Sequence, residues 1–253
     1  MGKTLFVFLL LVGNALAYTC NTSYCDDDRL GIGAHYSSLK SPLSQAHNTG
    51  AYLSIYSGYH WQRLYLAVDT LVGFTRPIFT SYADSSTHKE SKAYFFSSVA
   101  AHIGLKLDER DRLFFIYLAP RIEGYRFSQY EKGGFTAGYV SVGPSLFNRT
   151  TLTERLAFEA NLGIAPFVAR RYMGEDFESM APSLDGSYRI DASIGLLFKR
   201  SSPYSKRTDF YVRLNGTLLN NKSYIHSSSL TQPASKDYAL MLECGMVLEN
   251  LFR

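Results

Sequence analysis

A stripe of charge of one sign is missing from this chain. Its 26 Lys and Arg residues against 22 Asp and Glu leave a net charge of +4, dispersed along 253 residues. Tracking a nucleic-acid backbone requires a basic face, so nucleic acid is excluded as a partner. Beyond residue 17 there is no run of 18 apolar residues, and hence no helix able to span a bilayer. A Gly-rich phosphate loop, a His-Glu-x-x-His pair and a calcium loop are also missing, so neither a cofactor nor a metal site is expected. Asp26, Asp27 and Asp28 are adjacent, and three consecutive carboxylates cannot all converge on one ion.

Cysteine is scarce, with three residues in all. Cys20 and Cys25 stand close together and Cys244 lies far away in an apolar setting, where it reads as a small hydrophobe. The first 17 residues combine Lys3, the apolar run Leu5 to Val12 and the small-residue site Ala15-Leu16-Ala17. This is the pattern of a cleaved signal peptide over 1–17, since the run falls short of the roughly 20 residues a spanning helix needs. Residues 18–28 then form a periplasmic segment in which Cys20 and Cys25 are expected to pair, as suits an oxidising compartment. Ala17-Tyr18-Thr19 lacks the small residue that precedes a lipid-modified cysteine, and two cysteines fall short of the four ligands of structural zinc.

What the chain has in quantity is alternation. From Tyr188 to Lys199, Tyr188, Ile190, Ala192, Ile194, Leu196 and Phe198 share one parity while Arg189, Asp191, Ser193, Gly195 and Lys199 take the other. A period of two is that of a strand. Phe210, Val212, Leu214 and Leu218 repeat it, as do Leu64, Leu66, Val68 and Val72. Ten such stretches are predicted, at 29–40, 49–60, 62–75, 92–108, 111–127, 134–148, 153–169, 187–200, 207–221 and 237–252. The alternation slips around 135–146 and 166–171, which predicts a bulge or strand end there. Connections at 60–62, 108–111, 148–153 and 200–207 are the shorter set. Those at 41–48, 76–91, 128–133, 170–186 and 222–236 are generally longer and rich in Ser, Asp, Gly, Pro and Lys.

Strict alternation of short and long gaps predicts an all-β fold, a transmembrane antiparallel up-and-down barrel over 29–253 with about ten strands (8 to 12). Short turns would be periplasmic and long loops extracellular. A soluble barrel that binds an apolar ligand is the alternative, with the apolar and polar faces exchanged. In the membrane arrangement Phe95, Val99, Ile103, Leu105, Phe114, Ile116, Leu118 and Ile122 face lipid. The interior polar set comprises Asp69, His102, Lys106, Arg121, Glu123, Glu159, Arg189, Asp191, Arg213 and Glu243, with Asn161, Asn215, Tyr117, Tyr125 and Glu249 beside them. A ten-stranded barrel is little wider than the eight-stranded kind that side chains fill, so the expected role of this set is a network of ion pairs closing the lumen. A narrow water-filled passage is the other expectation.

These strands and the terminal Leu240, Leu242, Met246, Leu248 and Phe252 resemble small bacterial outer-membrane β-barrel proteins over about residues 29–252, with Arg253 and Asn250 departing from the usual aromatic-ended terminus. Tyr-rich strands, a cysteine-bearing mature start and Lys/Ser/Asn-rich loops are similar to the Helicobacter-type porin-like outer-membrane proteins. The resemblance implies export to the outer membrane, contact with outer-membrane lipid and lipopolysaccharide, and a structural, narrow-pore or surface-interaction role toward a small solute or a host-surface ligand. Loop residues suited to such contacts are Phe79, Tyr82, Lys89, Arg170, Arg171, Tyr172 and Phe177.

The chain is expected not to be an enzyme. Asp69, His102 and Ser98 could place a carboxylate, an imidazole and a hydroxyl together, a trio that arises easily in a polar lumen. His226-Ser227-Ser228 is similar to a lipid A deacylase motif, but Ser229 stands where Asn is expected, the pair falls in a predicted loop, and Glu243 is a distant third member. Neither a paired-aspartate nor an Asp-x-His motif of omptin-like proteases is found. A barrel hydrolase acting on lipid A or peptides is therefore the alternative function, not the leading one.

Overall fold

The computed structural model describes residues 25–40, 42, 44–61, 63–81, 85, 87–89, 93–107, 113–127, 135–173, 178–181, 186–199, 208–227, 230–232 and 234–248. Residues 1–17, expected as a signal peptide, Cys20 and Phe252 lie outside the described residues. The strands in chain order are β1 (Cys25–Lys40), β2 (Ser44–Trp61), β3 (Leu64–Ser81), β4 (Thr87–Lys89), β5 (Tyr94–Lys106) and β6 (Leu113–Leu118). They continue as β7 (Arg121–Phe127), β8 (Phe135–Val142), β9 (Pro144–Thr153), β10 (Leu156–Ala165), β11 (Phe167–Met173) and β12 (Glu178–Ala181). The last are β13 (Tyr188–Phe198), β14 (Thr208–Asn221), β15 (Tyr224–Ser227), β16 (Leu230–Gln232) and β17 (Ser235–Leu248).

All pairings are antiparallel, and β17 pairs with β1 from Asp28↔Leu248 to Lys40↔Lys236, which closes the sheet. Three crossings are each built from two pieces: β6 with β7, β8 with β9, and β10 with β11. The barrel therefore has ten crossings. The interruptions fall at Pro120, Gly143 with Pro144, and Pro166, because proline offers no N–H to the ladder. Across the first two the register is retained: Leu118 faces Pro144 and Arg121 faces Ser141. Ala101 N–H donates to Pro120 O at 3.0 Å, and Ala119 N–H to Gly143 O at 2.9 Å. The third is a bulge. Between Ser145↔Gly163 and Val142↔Phe167 three steps on one strand oppose four on the other. The slip expected around 135–146 is thus an interruption without a register change, and the extra residue sits in the neighbouring strand at Pro166.

Several expected boundaries need correction. β1 starts at Cys25, inside the segment assigned to 18–28; β2 starts at Ser44, inside the 41–48 loop; and β3 runs to Ser81, well into the 76–91 loop. β4, β12 and the β15–β16 hairpin also fall in the expected loops. In the extensions of β2 and β3 the buried inward positions are Ala46, Asn48 and Pro77, a mix of apolar and polar residues that carries no period-two signal.

The facing assignment is the one expected for a membrane barrel. Ile32, Leu53, Phe74, Phe95, Ile122, Leu162, Ile194 and Leu242 are each about half exposed or more on the outer wall, while Arg29, Glu123, Glu159, Arg189 and Glu243 are buried inside. An apolar belt encircling the wall exceeds what a soluble monomer exposes, so the soluble barrel with exchanged faces is not the arrangement found. Gly73 faces inward, where a Cβ would meet the Ala51 backbone oxygen, the Tyr52 side chain and the Phe96 ring. Gly73→Ala is expected to cost about 1–3 kcal/mol by overpacking, measured as a lower midpoint in urea unfolding.

Candidate functional site

Charged groups and apolar clusters interleave in the interior: Arg189 is paired with Leu219, Glu123 with Tyr139 and Arg29 with Val247. Toward the extracellular side Leu39, Ala46, Tyr52, Leu71, Phe96, Tyr139, Val168, Leu219 and Met241 pack into one buried cluster. Toward the periplasmic side Tyr65, Ala67, Phe115 and Tyr117 form a second, and Ala157, Leu197, Tyr211 and Val247 a third. These side chains pack among the charged groups, which are removed from bulk water.

Those charges pair in three groups. Arg29 on β1 holds Glu159 on β10 across the lumen with two parallel bonds, Nη1 to Oε2 and Nη2 to Oε1, both 2.7 Å. Arg149 Nε donates to Glu159 Oε1 at 2.7 Å, and the Arg29 guanidinium lies 5.5 Å from the Tyr56 ring centre and 5.2 Å from that of Tyr211. In the second group Arg189 donates to Glu123, and through Nε and Nη2 to Asp191 at 2.7 and 2.8 Å. Thr217 Oγ1 donates to Asp191 Oδ1 at 2.8 Å. In the third, Glu243 accepts from Tyr211 OH at 2.6 Å, Tyr52 OH at 3.0 Å and Arg213 Nη2 at 3.0 Å. Forked arginine–carboxylate bonds are the strong kind, and they compensate charges that would otherwise not tolerate burial.

Four arginines thus meet four carboxylates. Asp69 and Arg121 are left, one of each sign, and both line a cavity of about 80 Å³ together with His102, Tyr117, Asn161 and Arg213. Such a space accommodates a few waters. Lys106, Arg170 and Asp237 also turn inward, outside these pairs.

Of the sequence-predicted set, Glu123, Glu159, Arg189, Asp191, Arg213 and Glu243 are in the pairs. Asp69, His102 and Arg121 are at the cavity. Lys106 points inward near the periplasmic end of β5, apart from the paired groups. Tyr117 donates to Asn161 Oδ1 at 2.9 Å. Sequence reasoning placed Tyr211 on the inward face with Arg213 but missed Arg29, Arg149 and Tyr52. Arg29 has the parity of His35, which is inward, and that parity was the available signal. Tyr52 was hidden in a Tyr- and Ser-rich strand with little alternation, although its hydroxyl aims inward at Glu243.

The catalytic trio does not assemble. His102 is opposite Ala67 and Asp69 opposite Ala100, so the two are diagonal neighbours. His102 Nδ1 and Asp69 Oδ1 are buried and have no hydrogen-bond partner, so no carboxylate orients the imidazole. The His102 ring instead stacks on Tyr117 with centroids 4.6 Å apart, and Ser98 stands opposite Leu71. His226 sits in β15, a short strand of an outer hairpin rather than an open loop. Arg170, expected in an exposed loop, is buried, and its Nη1 donates to the Lys222 carbonyl at 2.8 Å. The bulge at Pro166 turns its side chain inward, so this correction follows from the register change. Tyr82 and Phe177 lie outside the described residues.

No protein-family model and no curated protein sequence matches the chain. Solved structures do. The chain is similar to the outer membrane protease OmpT from Escherichia coli, with a TM-score of 0.60 at 10% identity over 90% of this chain and 99% of that one. An outer membrane channel from Pseudomonas putida F1 gives 0.37 at 12% identity, over 91% and 100% of the two chains. The transport unit of the autotransporter AIDA-I from Escherichia coli gives 0.44 at 8% identity, over 95% and 96%. What is shared with the protease at 10% identity is the fold. The chain is a closed, ten-stranded antiparallel β-barrel of the outer-membrane type.

Proposed function

We propose that this chain is exported by its N-terminal signal sequence to the bacterial outer membrane, where it serves as a closed, non-enzymatic barrel acting through its outer surface. Envelope structure and contact of the outer hairpins with lipopolysaccharide or a host surface are the roles this leaves. The observation that carries the reading is the filled lumen: an apolar cluster around Phe96, Tyr139 and Met241 packs among paired charges, and the cavity between them is about 80 Å³. Tyr-rich strands keep the resemblance to Helicobacter-type porin-like proteins within this reading, without the pore. The reading needs no cofactor.

The test is a planar-bilayer recording beside an unheated and a boiled gel lane of the refolded mature chain. A heat-modifiable band without discrete current steps is the expected result. Discrete steps would replace this reading with the narrow pore, and a chain that stays soluble without detergent would end the membrane reading altogether. Incubation with lipid A or with peptides is expected to give no turnover.

A further inference from the structure

We propose that the extracellular rim of the outer wall, over β17, β1, β2 and β3, is a binding site for one phosphorylated, acylated membrane lipid; this rests on the reading that the outer belt faces lipid. Lys40 and Lys236 are directly opposite one another on β1 and β17, and both are exposed. Like charges in that position destabilise a ladder unless an anion lies between them. Arg76 and Lys89, also exposed, extend the basic surface onto β3 and β4, where Lys89 faces Ile78. On the outward parity of these rows no Asp or Glu occurs among the described residues; Asp237 turns inward to accept from Tyr139 and Asn221. Tyr36 and Tyr238 stand among the cations, with Tyr36 OH 2.7 Å from His47 Nδ1. Aromatic and basic side chains together mark the headgroup level of a membrane.

A second observation lies one row deeper. Ala34 faces both Leu242 and Ala51, and Ala51 faces Phe74. These two alanines are the floor of an apolar groove of about 670 Å³ whose sides include Ile32, Leu53, Phe74 and Leu242. The row above it carries Tyr36 and Arg76. The groove therefore begins where the basic rim ends.

The two features select the occupant jointly. A free anion would use the cations and leave the groove empty. A second copy of this chain packed by twofold symmetry would bring the basic rim against its own image, a repulsive arrangement with no acid to relieve it. A lipid with a phosphate headgroup and long acyl chains satisfies both parts: the phosphate is held between Lys40, Lys236 and Arg76, and a chain lies over Ala34 and Ala51.

The full chain folded in micelles would be titrated with a diacylglycerol phosphate, with a zwitterionic lipid of the same chains and with inorganic phosphate, and bound copies counted by native mass spectrometry. One copy of the phosphate lipid is expected to be retained in preference to the zwitterionic lipid, and inorganic phosphate is expected not to displace it. Lys40→Gln with Lys236→Gln should weaken retention on the order of thirtyfold, at roughly fivefold per cation near an anionic headgroup. Ala51→Trp, which fills the groove, should weaken it with the cations intact. Unchanged retention by the double variant, equal retention of the zwitterionic lipid, or displacement by inorganic phosphate would each overturn the proposal. A heat-modifiable band for every variant separates this outcome from failure of the membrane reading. If the double variant does not fold, Arg76→Gln takes its place and must lower retention about fivefold.

Discussion

Glu159→Leu is expected to lower the stability of the folded barrel by about 3–5 kcal/mol, because it strands the buried cations Arg29 and Arg149. Arg29 spends two donors on this carboxylate and Arg149 a third. With Glu159 gone, Arg29 keeps its stacking between Tyr56 and Tyr211 but loses its counter-charge, and Arg149 loses the same partner. Urea unfolding followed through the single tryptophan would read the change. The double variant Arg29→Met with Glu159→Leu should cost less than Glu159→Leu alone, since it removes both members of the pair. An equal or larger cost for the double variant would mean that Arg29 contributes mainly by packing, against this account.

Ile194→Arg is expected to cost about 2–4 kcal/mol in lipid vesicles, while Tyr238→Arg at the rim should cost about 0–1 kcal/mol. Ile194 lies midway along β13 with its side chain half exposed on the outer wall, whereas Tyr238 is near the extracellular end of β17. A cationic head at mid-wall has the full apolar layer to escape; at the rim it reaches headgroups and water. Equal costs at the two positions would count against the outer wall as the lipid-facing surface. The gradient, more than either value, is the measurement of interest.

Parity carried most of the fold. Ten strands, their order and their facing could be read because lipid on one side and a crowded interior on the other impose opposite solvents on successive residues of Tyr188–Phe198 and Thr208–Asn221. Where that alternation is absent, the reading failed. The upper part of β3 and the hairpin of β15 and β16 lie in segments taken for loops, since their apolar and polar residues do not alternate. The break at Gly143 and the bulge at Pro166 produced the same irregularity in the sequence and have different geometry, because only the paired strand decides whether an extra residue is accommodated.

The site was legible as an inventory and not as a pairing. Most of the interior charges were named from parity, yet which arginine meets which carboxylate depends on chain closure: Arg29 and Glu159 are 130 residues apart and touch only because β17 returns to β1. By itself the sequence determined an all-β chain with an apolar outside and a polar inside, since alternation is a local property of successive side chains. Only the tertiary structure decided which interior charges pair, that Asp69 does not orient His102, and that Lys40 faces Lys236 above an apolar groove. Those facts rest on the stagger between strands, and stagger is set by closing the whole sheet rather than by any one segment.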